Sequence, residues 1–224
     1  MESTAQYWDR SDISLMRDIS YGNMAAFTEL TDRYLGLVSR TSFRILCDRE
    51  DSESVAVDVF VSLWNRVYDY DDRLTIGEWL LKKTYEGAQK RIIRRRILSI
   101  FGVHNDVFVN VAVSVKNEHD YQTKLAWELY CRAVNHMSVL QSAVYTLYML
   151  EKVQIDSVAA IMGTKIFKVR GALRKAEEKV REELREYGRY GDYEKYVDFL
   201  RQVADVLTDK AKLSKEIMRL TGLK

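Results

Sequence analysis

Along this chain apolar residues return every three or four positions far more often than every two, the spacing that gathers them on one stripe of a helix. From Asp12 the positions Ile13, Met16 and Ile19 predict a short helix ending at Tyr21-Gly22-Asn23. A long one follows through Phe27, Leu30, Tyr34, Leu37, Val38 and Leu46, with Gly36 inside it. After a polar break at 47–51, Ser52 or Ser54 is placed to cap a helix with Val55, Val59, Leu63 and Val67 on one face and Phe60 and Trp64 beside it. An acidic, aromatic loop spans 69–77, and Glu78 opens a helix through Trp79, Leu80, Thr84, Ala88 and Ile92. Two more helices are predicted at 125–134 and 139–150, where Trp127, Tyr130 and Tyr145 read as core.

One segment breaks the helical period. Val107, Val109, Val111, Val113 and Val115 alternate with Phe108, Asn110, Ala112 and Ser114, a strand pattern. A lone strand leaves amides unpaired, so this one either straps onto the rest of the chain or pairs with a partner. Past Tyr187, Gly188 and Gly191 punctuate. Tyr193, Tyr196, Val197, Leu200, Val203, Ala204 and Leu207 then mark an amphipathic helix. Thr208 or Asp209 is placed to cap a last helix through Leu213, Ile217 and Leu220, closed by Gly222.

The most informative stretch is 153–186. Ala159, Gly163 and Val169 have the spacing of a helix-turn-helix: a small residue where two helices meet, a glycine able to take the turn's positive φ, and an apolar plug on the second helix. Thr164 is placed to cap that second helix. Ile166, Val169, Leu173, Ala176, Val180 and Leu184 form its seam, which leaves Lys165, Lys168, Ala172, Lys175 and Lys179 facing out with Arg170, Arg174 and Arg181 alongside. The pattern is open to two readings: a recognition helix for a major groove, or an amphipathic helix with a solvated basic face.

Composition narrows the class. Proline is absent, hydrophobic residues make up 47% and charged residues 30%, which predicts a soluble, all-α protein with room for two small domains. The 35 basic residues nearly cancel the 33 acidic ones, so the net +2 says less than the distribution. Cys47 and Cys131 lie far apart in sequence and His104, His119 and His136 are scattered, so neither a metal site, a cofactor site nor a disulfide framework is expected. No secretory leader or apolar run of membrane-spanning length is present, which predicts a cytoplasmic chain without membrane insertion.

Up to Trp79 there are 15 acidic and 8 basic residues, whereas 81–102 holds seven basic residues (Lys82, Lys83, Lys90, Arg91, Arg94, Arg95, Arg96) against Glu86 alone. One basic, Trp-bearing helix after an acidic stretch suits a nucleic-acid backbone, with the aromatic placed for base stacking. The alternative is a solvated charge run favoured at a helix C-terminus.

With these stretches in order, the chain resembles a known family. Asp18, Gly22-Asn23 and Ala26-Phe27, then 51–64, then Trp79-Leu80 and the Arg run, are similar to region two of bacterial sigma factors of the extracytoplasmic-function group. With the helix-turn-helix as region four, the resemblance covers about 12–186. It implies two helical domains, 12–98 and 124–187, preceded by a lead at 1–11, joined by a linker at 99–123 and followed by a helical extension at 188–224. It further implies a subunit that is not an enzyme and directs core RNA polymerase to promoters. The helix carrying Glu53, Asp58, Phe60, Leu63 and Trp64 would bind polymerase. Trp79, Lys82, Lys83, Glu86, Lys90, Arg91, Arg94, Arg95 and Arg96 would meet a melted minus-10-like element. Lys165, Lys168, Arg170, Arg174 and Lys175 would enter the groove of a minus-35-like element, and an anti-sigma protein would regulate the whole.

The chain departs from the family where Gln-Glu is Val57-Asp58, where Asn is Glu86, where Asp is Lys90, where Leu-Pro is Met137-Ser138, and where a recognition-helix Arg is Ala172. Two alternatives therefore stand beside the sigma reading: a polymerase-binding adaptor that no longer melts promoters, and a free-standing helix-turn-helix regulator. The helical extension either enlarges the second domain's core or covers the recognition helix or the polymerase-binding face.

Overall fold

The computed structural model describes residues 10–100, 117–187, 192–203 and 209–222. Ten α-helices run through them: α1 Asp12–Ser20, α2 Met24–Leu46, α3 Arg49–Asn65, α4 Ile76–Ile100, α5 Glu118–Asn135, α6 Val139–Tyr145, α7 Ile155–Ile161, α8 Ile166–Tyr187, α9 Tyr193–Gln202 and α10 Lys210–Leu220. Among the described residues there is no strand. The Val-rich segment 107–115 lies outside them.

Caps decide where the helices start. Ser11, Asn23, Asn117 and Asp209 each accept a backbone N–H from the first turn of the helix they precede. Two starts differ from the sequence reading for this reason. α3 begins at Arg49 rather than after Ser52, because Asp48 accepts the Asp51 N–H and puts Glu50 and Asp51 at the positive end of the helix dipole. α5 begins at Glu118, well inside the stretch read as linker, because Asn117 caps it. Thr75 and Glu78 form a reciprocal capping box at the start of α4, as do Ser138 and Gln141 at α6. α6 runs on through a π turn, Thr146–Leu150, and ends at Glu151.

α2 is the central helix and packs against α1, α3, α4, α5, α6 and α10. Phe27, Leu30, Phe60, Leu63, Trp79 and Leu80 form one core. Trp127, Tyr130, Tyr145, Val180 and Tyr196 form a second, and Val144, Leu147, Val158, Val169 and Ala172 a third. The cores are not confined to one half of the sequence each: Phe43 and Cys47 of α2 belong to the second, Leu81 of α4 to the third. Cys47 and Cys131, distant in sequence, are both buried in the second core as free thiols.

A buried ion pair crosses between the halves. Arg44 of α2 donates to Glu151 at 2.6 Å and Arg40 reaches the same carboxylate at 3.0 Å. Arg44 also donates to the Leu200 carbonyl of α9, while its own carbonyl accepts the Tyr130 hydroxyl. Burial pushes the Arg44 guanidinium down from its ordinary pKa, and Glu151 opposes that shift.

Candidate nucleic-acid interface

The helix-turn-helix forms as its spacing predicts. Gly163 sits between α7 and α8 at φ +58°, a left-handed conformation that a residue with a Cβ adopts at a cost. Thr164 donates its N–H back to the Ala159 carbonyl and closes the turn. Val169 and Ala159 are buried together. α8 opens from the Lys165 carbonyl, which accepts from the N–H groups of Lys168 and Val169.

On the outer surface of α8, Lys165, Lys168, Arg170, Arg174 and Lys175 are all exposed. Two residues assigned to that face are not there. Ala172 is buried against α6 and α7, since alanine carries no signal that distinguishes a close helix contact from solvent. Lys179 is tied into the α5–α6 turn, donating to the His136 carbonyl and to Gln141. Their place is taken by Phe167, 66% exposed, and the half-exposed Ile166, which the sequence reading put into the seam or passed over. The leading turn of α8 thus shows an apolar tip between lysines.

A second surface lies where α3 crosses α4. Gly87 makes the crossing close: a Cβ there would meet Val55 Cγ1 at 3.0 Å. The two helices wall a cleft of about 400 Å³ lined by Arg66, Lys83, Lys90, Arg91 and Arg94 together with Asp58, Asp69 and Glu86. Lys90 and Arg94 reach solvent, whereas Arg91 donates to Ser54 at 2.6 Å and to Asp58 at 2.9 Å. Arg95 pairs with Asp48 and Asp51 at the start of α3. Lys83 pairs with Glu86 and lies over the Trp79 ring. Lys82 is half-buried, and the side chain of Arg96 lies outside the described set. The basic helix is therefore partly neutralised by the acidic end of α3, and its net attraction for phosphate rests mostly on Lys90 and Arg94.

Trp79, expected to stack on a base, is not free to do so. It is 2% exposed, edge-on to Tyr70 and inside the first core. Tyr68, beside the cleft residue Asp69 in the single 3-10 turn Val67–Asp69, is an exposed aromatic. Farther along, Arg73 grips Asp71 with two nitrogens and holds its carboxyl down at about 2.

The predicted polymerase-facing residues divide in the same way. Phe60 and Leu63 are fully buried, and Trp64 is half-buried against Phe27. Asp58 is exposed, and Glu53 accepts from Arg49 within α3 and from Lys212 of α10 at 2.6 Å. Burial raises the Glu53 pKa, but these two donors outweigh it and leave the carboxyl below its ordinary value. Among the described residues no group of three His, Cys, Asp or Glu is placed to hold a metal ion. Nor is any helix among them long and apolar enough to cross a membrane.

Solved structures share this arrangement of helices, among them the two that follow. The structure of CnrH in complex with the cytosolic domain of CnrY matches with a TM-score of 0.57 at 18% identity, over 78% of this chain and 97% of that one. The sigma factor RpoE from Bartonella quintana, in complex with the anti-sigma factor NepR, matches with a TM-score of 0.55 at 17% identity, over 71% of this chain and 96% of that one. The chain has a sigma-factor fold. No protein-family model matches the sequence, and no curated protein matches it either. Among the described residues, the outer face of α8 and the α3–α4 cleft each bring several lysines and arginines together.

Proposed function

We propose that this chain is a sigma factor of the extracytoplasmic-function group, a non-catalytic, cytoplasmic subunit that directs core RNA polymerase to a set of promoters. One observation carries the reading. In a chain with a sigma-factor fold, a helix-turn-helix presents Lys165, Lys168, Arg170, Arg174 and Lys175 together to solvent. Residues 12–98 then act as region two and 124–187 as region four. α8 enters the major groove upstream, its lysines and arginines meeting phosphates and base edges. Lys90, Arg94 and the α3–α4 cleft face the strand that is melted downstream, with the more deeply paired Arg91 and Arg95 holding α4 to α3. The partners that follow are core polymerase, promoter DNA and an anti-sigma protein, the last supported by the complex in which RpoE is held by NepR.

A second reading is favoured by the salt bridges of α4. With Arg91 and Arg95 engaged by Asp48, Asp51 and Asp58, and Trp79 in the core, less of the basic helix is available for DNA. On that reading the chain binds polymerase as an adaptor without melting promoters. Run-off transcription with purified core polymerase on a library of promoter fragments decides between them. Promoter-dependent transcripts support the sigma factor, and core binding without initiation supports the adaptor. Tight duplex binding by the chain alone, with no polymerase binding, would instead indicate a free-standing regulator.

A further inference from the structure

The two helices of the C-terminal extension go to different places. α9 completes the second core: Tyr193, Tyr196, Val197 and Leu200 are buried with α5, and Tyr196 donates to the Ala126 carbonyl. α10 instead crosses to the first half of the chain and packs on α2 and α3. Leu213 and Ile217 enter the first core, Lys212 holds Glu53, and Lys210 lies across Gly36 of α2. The hold is small: two buried side chains, the half-buried Met218 against Thr28, and an ion pair, on an eleven-residue helix, a length that is marginal on its own. It falls on α3, the helix assigned to core polymerase, and takes up Glu53 of the assigned residues.

We propose that α10 is a displaceable cover on the polymerase-binding face of α3, so that core polymerase binds only the molecules from which α10 has lifted. The inference rests on the sigma-factor reading and adds regulation to it. Because apparent affinity scales with the fraction of molecules in the competent state, a cover closed in about nine molecules of ten weakens core binding about ten-fold. Whatever draws α10 away, whether a ligand, a protein or polymerase itself, recovers that factor.

The test uses the full-length chain and two variants. Ile217→Asp puts a charge into the buried contact. Lys212→Glu sets a carboxylate against Glu53 at a position whose side chain is 61% exposed, so folding is untouched. Amide exchange across α3 reports whether α10 has lifted, and affinity for purified core polymerase reports the consequence. The expected result is faster exchange on the outer turns of α3 in both variants, with core binding tightened about ten-fold for Ile217→Asp and about two- to three-fold for Lys212→Glu. Faster exchange with unchanged core affinity overturns the cover and leaves the sigma-factor reading standing. Failure of all three proteins to bind core polymerase overturns both.

Discussion

Single residues in this chain have roles that their type alone does not announce. Glu151 is the clearest case, because its carboxylate is the shared acceptor for Arg40 and for the 2%-exposed Arg44. Replacing it by Gln leaves a buried guanidinium without its counter-charge, which typically costs about 3–5 kcal/mol. Chemical denaturation of Glu151→Gln should show that loss, and replacing Arg44 and Glu151 together by Met should recover much of it. Gly163 is set by backbone rather than charge. An alanine at φ +58° is disfavoured by about 1–2 kcal/mol, so Gly163→Ala should lower the melting temperature and loosen the α7–α8 turn.

Glu78 gives a pH signature. The Ser157 hydroxyl, then the Thr75 backbone and side chain, hold its carboxyl below the ordinary 4.5. A carboxyl depressed by folding stabilises fully above its unfolded value and less as pH falls through the folded one. The acid limb of the stability profile below pH 4.5 should therefore flatten in Glu78→Gln, measured by thermal melting from about pH 6 to about pH 3.

At the scale of elements, the seams were legible and the surfaces less so. The long stripe of α2, the turn at Gly163 and the aromatic core at Trp127, Tyr130 and Tyr145 follow from spacing alone, because an apolar stripe must be buried against something. What a stripe meets is set by neighbours that no local window contains. That is why Ala172 turned inward, why Lys179 was claimed by the His136 carbonyl, and why Trp79 joined the core although it sits in a basic helix. Helix starts depart from the apolar pattern where a single Asp or Asn outranks it, at Asp48 and Asn117. The pairing of Arg91 and Arg95 with Asp48, Asp51 and Asp58 was equally invisible, since the Arg run reads as a phosphate surface or a solvated run and 47–51 only as a polar break.

The recognition element can be tested as an element. Lys168→Ala with Arg170→Ala removes two exposed cations, so the fold should be kept. Promoter binding by the reconstituted holoenzyme should weaken, and the slope of log affinity against log salt should fall by about one for each phosphate that the variant no longer neutralises. Fluorescence anisotropy on a labelled duplex at several salt concentrations measures both.

For the whole molecule, the shared use of α2 matters most. A helix whose one flank builds the first core and whose C-terminal end enters the second ties the two halves into one folding unit. Native-state hydrogen exchange should find the slowest amides of α3 and of α5 opening with the same free energy, and Glu151→Gln should separate them. The same packing bears on the proposed function, because the basic face of α8 and the α3–α4 cleft belong to halves that meet through α2.

If the chain carries promoter specificity to RNA polymerase as proposed, run-off transcription with purified core polymerase shows it without an intermediary. Transcripts should start at defined positions, require the chain, and disappear when Lys168 and Arg170 are both changed to Ala. Core polymerase bound to the chain yet initiating nowhere above background would contradict it.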